Sequence, residues 1–406
     1  MNRSTTEDDN ALAMAKQALE TGENFLAYDL ASALPSGKFS LERIRIMALA
    51  LARSGSPAKA AELASSLPDG DDPDIIGLKS RIIKDLAQTS HCEQERKRLF
   101  RDAADKCLSI FDHKPNYYNG INAASCLLMS GDHAAAKQLV SQAVLRLCED
   151  EKNRNMWLLA TLGECHLILG NIALSAEFYN SAISTARKQK LIGNLSSMLK
   201  QLHMLNGAIP ETVQPVLATL QLPSVAIFSG HTIDKPGLEP PRFPLALELR
   251  IRERISLSLS SSDVCETFSS CACGSDIILI EEAAQLGLSV NIVPPFPLEV
   301  TIRKCVSIAP GNWEERLRKT LSLPNVRLLP AESDEIGEES DDIAYDFTNR
   351  EAFGLAVLKS RISYLPLIGI SVWNGEISSA NGCTATAVMR WRQHGIKHIN
   401  IDPRAL

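Results

Sequence analysis

The sequence predicts an α + α/β multidomain protein, with an N-terminal array of helical repeats followed by a doubly wound, mainly parallel sheet. Three observations carry this expectation. A template of small residues and glycine recurs four times in the first half of the chain. From Ser224 onward, short apolar strands alternate with amphipathic helices. Between the two, residues 207–215 interrupt the helical pattern with Gly207, Pro210 and Pro215. A chain of 406 residues is too long for one core. The array is therefore expected over residues 10–206, a linker over 207–222 and the sheet domain over 223–406.

The repeat template is a small residue, a glycine seven positions on, a small residue five further, then an apolar or small residue and a final Ala or Leu. Ala15, Gly22, Ala27, Ala31 and Leu34 fit it, as do Ala48, Gly55, Ala60, Ala64 and Leu67. Ala124, Gly131, Ala136, Val140 and Ala143 form a third unit, and Gly163, Gly170, Ser175, Tyr179 and Ala182 a fourth. Paired helices that cross closely need small residues at their contacts, and glycine ends the first helix of each pair. The spacing is that of the tetratricopeptide repeat (TPR). From Gly55 to Gly131 the step is long enough to hold a degenerate unit, with helices expected at 73–86 and 92–111. A last helix, 191–205, has no partner unit and is expected to cap the array.

In the second half, strands are expected at 224–229, 263–268, 288–294, 326–329, 367–373 and 398–401. Helices are expected at 245–259, 277–287, 312–321, 350–363 and 384–394. The acidic run 334–342 reads as a solvated loop. Parallel sheets of this kind bind ligands beyond the carboxyl ends of their strands, so three loops become candidates. The first carries Ser229, Gly230 and His231: glycine lets the backbone turn or approach a ligand, and the histidine offers a donor to a phosphate or ribose. A plain surface histidine is the alternative. The second carries Cys273, Gly274, Ser275 and Asp276. Its small residues are expected to leave backbone N–H groups open beside the positive end of a helix, with Asp276 either meeting a ligand or capping the helix. The third carries Asn374, Gly375, Asn381, Gly382, Cys383 and Thr384, again a strand, a small-residue loop and a helix.

Two resemblances sharpen the reading. The run Tyr117-Tyr118-Asn119-Gly120-Ile121-Asn122-Ala123-Ala124, opening a repeat, resembles the divergent tetratricopeptide (TRAF-binding or sensor) region of apoptosis signal-regulating MAP kinase kinase kinases and their bacterial relatives. That resemblance covers about residues 10–205 and implies partner or ligand sensing. Packing of Tyr117, Tyr118 and Asn122 between repeats explains the same residues. The second half, about 223–402, resembles the Rossmann-like SLOG superfamily that joins the DNA-processing protein A family to the LOG phosphoribohydrolases. Cys273-Gly274-Ser275-Asp276, the helix to Gly287 and Val290-Asn291-Ile292-Val293-Pro294 follow the order of its motifs. Asn381-Gly382-Cys383-Thr384 corresponds to its later glycine-threonine loop. The resemblance implies a nucleotide-type ligand.

The departures matter for chemistry. Hydrolytic members carry a glutamate soon after that loop, whereas Ala385-Thr386-Ala387-Val388-Met389-Arg390-Trp391-Arg392 has no carboxylate. A positioned acid or base contributes roughly 10²–10⁴ in rate, so only Glu281, Glu282 or Glu376 could supply it. A DNA-binding member would need a basic crevice, for which Arg242, Arg390 and Arg392 are the candidates.

Composition narrows the classes further. Hydrophobic content of 45% and a net charge of −6 suit a globular protein and speak against a nucleic-acid binder. No apolar run approaches the roughly 20 residues of a membrane span, and the polar N-terminus lacks a secretory core, so a cytoplasmic location is expected. Cys271 and Cys273 are the one close pair among ten cysteines. Without a second pair or a nearby histidine they do not form a zinc signature, leaving small-residue packing or a redox role. No metal and no cofactor are expected. The reading is a sensor that binds a nucleotide or nucleotide-derived small molecule in the second domain and a protein partner through the repeats. The alternative is a nucleotide N-glycosidic-bond hydrolase or transferase, LOG- or deoxyribosyltransferase-like, and a pure scaffold is the third reading.

Overall fold

The computed structural model describes residues 5–35, 37, 40–68, 70, 72–331, 341–377 and 382–406. Its contacts divide the chain into two compact units, Met1–Gln221 with Ile362–Tyr364, and Leu222–Arg361 with Leu365–Leu406. The first is helical and the second is built on a six-stranded, all-parallel sheet, the α + α/β class that the sequence predicts.

In the helical unit, consecutive helices pair as hairpins. α1 (Thr5–Thr21) packs on α2 (Asn24–Ser32), α3 (Ser40–Arg53) on α4 (Pro57–Ala64), and α5 (Pro73–Thr89) on α6 (Glu93–His113). α7 (Tyr117–Ser130) packs on α8 (His133–Leu139), which continues through a π turn, Val140–Val144, into α9 (Leu145–Asp150). α10 (Met156–Leu169) packs on α11 (Ile172–Lys188). The template glycines Gly22, Gly55, Gly131 and Gly170 have φ between 83 and 100°, the left-handed conformation that ends a helix and that side chains disfavour. The small template residues Ala15, Ala27, Ala48, Ala60, Ala124 and Ala136 are fully buried. In the fourth unit the Tyr179 ring fills the space beside Gly163, and the Ser175 hydroxyl donates to the Gly163 carbonyl at 2.8 Å.

Two elements differ from expectation. The helix predicted to cap the array, α12 (Ile192–Leu205), reaches back to the first pair of helices. A Cβ on Gly193 would collide with the Leu19 carbonyl of α1. Farther along α12, Asn194 accepts from Arg53 at 3.4 Å, Ser197 from Arg81 at 3.3 Å, and Lys200 pairs with Asp85 at 2.9 Å. The small and polar residues Gly193, Asn194, Ser197, Lys200 and Gln201 share one helical face, and that face suits a position among the polar inner faces of α3, α5 and α10. The stretch expected to break the helical pattern instead holds α13 (Pro210–Leu217). Pro210 stands in its first turn, where no amide donor is needed, and full burial of Val213 and Val216 offsets the donor lost at Pro215.

In the second unit, β1 (Ser224–Gly230), a 3₁₀ turn at Leu245–Leu247, α14 (Glu248–Ser261), β2 (Val264–Ser269), α15 (Ser275–Gln285) and β3 (Ser289–Ile292) succeed one another. α16 (Leu298–Thr301) then runs into a π turn, Ile302–Val306, before α17 (Trp313–Leu321) and β4 (Val326–Leu328). α18 (Asp341–Ser363), β5 (Leu367–Val372), α19 (Thr384–Gln393) and β6 (Lys397–Ile401) complete the unit. The strand order is β4-β3-β2-β1-β5-β6. Ile277, Ile278, Leu279 and Ile280 on α15 are all fully buried, as expected of a helix enclosed between a sheet and other helices.

The helical stretch from Leu298 to Val306 had no counterpart in the sequence reading. α18 begins nine residues earlier than expected, at Asp341, so the end of the acidic run is helical rather than loop; residues 334–340 lie outside the described residues. Ala344, Thr348 and Ala352 bury one face of those extra turns. Asp341 and Asp342 sit in the first turn, where the helix dipole favours a negative charge.

Gly193→Ala is expected to destabilise the helical unit by about 1–3 kcal/mol, the usual range for forced overpacking, because the opposing atom is backbone. Urea denaturation followed by circular dichroism measures this, and an unchanged midpoint would mean that α12 does not pack tightly on α1.

Candidate functional site

Strand order places the site. The chain winds outward from β1 through β2, β3 and β4, then returns to add β5 on the other side of β1. Gly230 and Val372 are partners at the carboxyl ends of β1 and β5, so the loops that follow them diverge and leave a crevice. A cavity of about 510 Å³ lies there, within the usual span of small-molecule sites.

Of the residues singled out from sequence, Ser229, Gly230, His231, Asp276, Asn374, Glu376, Gly382, Cys383 and Thr384 line this cavity. Asn381 lies outside the described residues. Cys273, Gly274, Ser275 and Gly375 do not reach the wall. The loop of the first three does a different job, because hydrogen bonds clip it onto the loop after β1. Ser275 N–H donates to the His231 carbonyl at 3.2 Å and its hydroxyl to the same oxygen at 2.7 Å. Ile233 N–H donates to Cys273 O at 3.3 Å, and Cys273 N–H to Cys305 O at 2.9 Å. Gly274 has φ 97° and lies so close to Ile233 that a Cβ would strike the backbone. The donors expected to form an open phosphate cradle at Cys273 and Ser275 are therefore committed within the protein.

What this loop presents to the cavity is Asp276. Gly274 occupies the N-cap of α15, so Asp276 is not the cap. It is 6% exposed, and its Oδ2 accepts from Ala272 N–H at 3.2 Å. Oδ1 is buried and has no hydrogen-bond partner. An unpaired buried acceptor costs about 1–3 kcal/mol, and more when charged. Burial pushes the Asp276 carboxyl up to about 7, with the Ala272 and Gly230 N–H groups opposing it. The thiols nearby stay protonated: burial drives Cys273 up to about 12 and Cys305 up to about 11, and raises Cys271 as well. Thiols held in that form are inert, so packing, not redox chemistry, accounts for the Cys271–Cys273 pair.

The other walls are fixed from neighbouring elements. Asn374 N–H donates to His231 Nε2 at 3.2 Å, and Asn374 Oδ1 accepts from Glu376 N–H at 3.2 Å. Burial lowers the His231 pKa, partly offset by Asn374, so the ring is neutral near pH 7. Asn349 of α18 donates to the Gly382 carbonyl at 2.8 Å and positions the start of α19. Lys304, Cys305, Ile308, Tyr345, Thr348, Asn349 and Trp373 also line the cavity. Sequence reasoning missed the first six because they belong to the unassigned stretch after β3 and to the early turns of α18. The spacing of Ala344, Thr348 and Ala352 was the available signal.

Glu281 and Glu282 do not reach the cavity. Arg252 holds Glu281 at 2.6 Å and Glu282 at 2.7 Å, while Arg316 holds Glu281 at 2.7 Å and Glu248 at 2.9 Å. Burial would raise Glu281, but its bonds to Arg316 and Arg252 keep it below the ordinary carboxylate range. Arg390 is paired with Asp346 at 2.9 Å and Arg392 lies against Trp373; neither lines the cavity. Among the described residues the wall carries Arg242 and Lys304 against Asp276 and Glu376, and Lys304 is itself paired with Asp341 at 2.8 Å. That balance is not the one-signed crevice of a DNA-binding surface.

Part of the helical unit matches a known family. Residues 10–127 match the family described as Tetratricopeptide Repeats-Sensor. No curated protein and no solved structure matches the chain significantly. In the helical unit, the inner faces of α5, α7, α10 and α12 enclose a smaller cavity of about 80 Å³. Lys84 donates to Asn122 at 2.8 Å and to Gln201 at 3.3 Å, and Gln201 donates to Glu164 at 2.9 Å. Ser125 also bonds Glu164, whose pKa burial raises. Tyr118 meets Trp157 edge-on at 6.3 Å and remains partly exposed beside this network. Asn122 and Tyr118 thus face the inner cavity, a position that packing between repeats alone does not require.

Replacing Asp276 tests its buried carboxyl. Its folded pKa of about 7 exceeds the ordinary 3.8, so ionisation costs stability. The cost is absent below about pH 4, grows as pH rises to about 7 and then levels, at up to about 1.4 kcal/mol per pH unit. Asp276→Asn should therefore melt above the wild type by a margin that widens between pH 4 and 7. A margin that does not change with pH would show that the carboxyl is not perturbed.

Proposed function

We propose that this chain is a regulatory sensor whose α/β unit binds a nucleotide-derived small molecule in the cavity beyond β1 and β5, and whose repeat unit engages a protein partner. The observation that carries the reading is the cavity itself. It sits at the switch point of a doubly wound sheet, where such sheets bind their ligands, and Asp276, an almost fully buried carboxyl, is among its lining residues. Ser229, Gly230, His231, Asp276, Asn374, Gly382, Cys383 and Thr384 are the proposed binding residues. The match of residues 10–127 to a sensor-type repeat family supports the regulatory half of the proposal, since helical repeats present extended concave surfaces to partners.

Catalysis is the second reading, and one placement favours it: Glu376 lines the cavity, whereas Glu281 and Glu282 are locked in arginine pairs. Its side chain is 60% exposed and lies 3.9 Å from Arg404. Release of free base from a nucleoside monophosphate, abolished by Glu376→Gln, would favour the N-glycosidase over the sensor.

A ligand at a hundred times its Kd adds about 2.7 kcal/mol, which should raise the melting point of the α/β unit by on the order of 5–10 °C. Thermal scans of the full chain against ribonucleotides, cyclic dinucleotides and nicotinamide dinucleotides should find at least one such shift, and His231→Ala should reduce it. A flat response across the panel would remove the ligand half of the proposal.

A further inference from the structure

The small cavity inside the helical unit is unbalanced in charge. Lys84 lines it, is 6% exposed, and donates to two neutral amides, Asn122 at 2.8 Å and Gln201 at 3.3 Å. Among the described residues no carboxylate forms an ion pair with it. An ammonium has three donors, so those two bonds leave it one. Arg81, one turn away on α5, also lines the cavity and donates to Ser197 at 3.3 Å. Its carboxylate partner, Asp85, lies 4.0 Å off and is held more closely by Lys200 at 2.9 Å. Arg53 bonds the Leu19 carbonyl and Asn194, both neutral, and burial, followed by the Arg81 charge, pushes it down to about 9. With Lys200, these cations stand against two buried carboxyls, Asp85 and Glu164, and burial raises the pKa of Glu164.

A buried charge without a counter-ion is costly, and each class of occupant changes that cost differently. A cation would add to the surplus, and a neutral molecule would leave it in place. An oxyanion would offset it and accept charge-assisted hydrogen bonds from Lys84 and Arg81. We infer that this cavity binds a small molecule through a carboxylate or phosphate group seated between Lys84 and Arg81. Its 80 Å³ or so is room for several waters, enough for such a group and too little for a whole nucleotide. Tyr118 lines the same cavity yet is 47% exposed, and it meets Trp157 edge-on. The aromatic pair therefore marks the opening and offers an apolar rest to the remainder of the ligand. The site belongs to the helical unit alone, and the inference does not depend on the ligand reading of the α/β unit.

Isothermal titration of the full chain with inorganic phosphate and four probes that share one ring tests this: benzoate, phenyl phosphate, benzylamine and benzyl alcohol. At least one oxyanion should bind the wild type about tenfold or more tightly than the amine and the alcohol, the gain from a charge-assisted hydrogen bond. Lys84→Met and Arg81→Met should each weaken that oxyanion by about tenfold to a hundredfold and narrow its lead over the amine and the alcohol. Lys84→Gln, which keeps a donor without the charge, guards against misfolding and should lose binding to a smaller degree. A preference for phosphate over benzoate, or the reverse, supports the inference and tells which oxyanion the site takes. The inference falls if the amine or the alcohol binds as tightly as the oxyanions, or if no oxyanion binds at millimolar concentration. It falls equally if oxyanion binding survives all three variants, because the anion then sits elsewhere in the chain.

Discussion

The cavity of the α/β unit depends on a backbone clip between two loops. Ser275 donates twice to the His231 carbonyl, Ile233 donates to Cys273, and Gly274 lets the chains touch by having no side chain. These bonds hold the start of α15 against the end of β1, turn Asp276 toward the crevice and set His231 beside Asn374. Two flexible loops would have to be ordered on binding, at an entropic cost that subtracts from affinity. Here the order is already present in the free protein.

Buried charge is treated in opposite ways on the two faces of α15. Toward α14 and α17, Glu281 and Glu282 are matched by Arg252 and Arg316, since a buried charge without a partner is strongly destabilising. At the start of the helix, Asp276 keeps one buried oxygen unmatched. One helix thus carries a stabilising network and a strained group within about two turns. Strained or unsatisfied groups gather at functional sites because the surrounding structure can hold them.

The repeat unit shows a related division. Its hairpins close on alanines and glycines, while α12 brings polar residues against α3, α5 and α10. The Lys84–Gln201–Glu164 chain is satisfied end to end, which is the condition under which a buried polar network adds rigidity rather than cost. The inner surface is therefore polar and shaped, with Tyr118 and Trp157 beside it, and differs from the plain apolar seam that packing alone would produce.

Local rules determined much of this protein from its sequence. Gly22, Gly55, Gly131 and Gly170 announce helix ends because only glycine accepts the left-handed conformation readily. The apolar runs around Val225, Phe268 and Ile370 announce strands covered on both sides. From those features follow the helical array, the parallel sheet and the three loops at its carboxyl end. Long-range geometry decided the rest. No local pattern says whether Ser275 N–H faces a ligand or the His231 carbonyl 44 residues away. Neither does it say whether Glu281 looks into a crevice or onto Arg316, nor that α12 returns to Leu19. Each of these outcomes is a competition for a hydrogen bond, a charge or a contact between segments distant in the chain, and only the folded structure brings the competitors together.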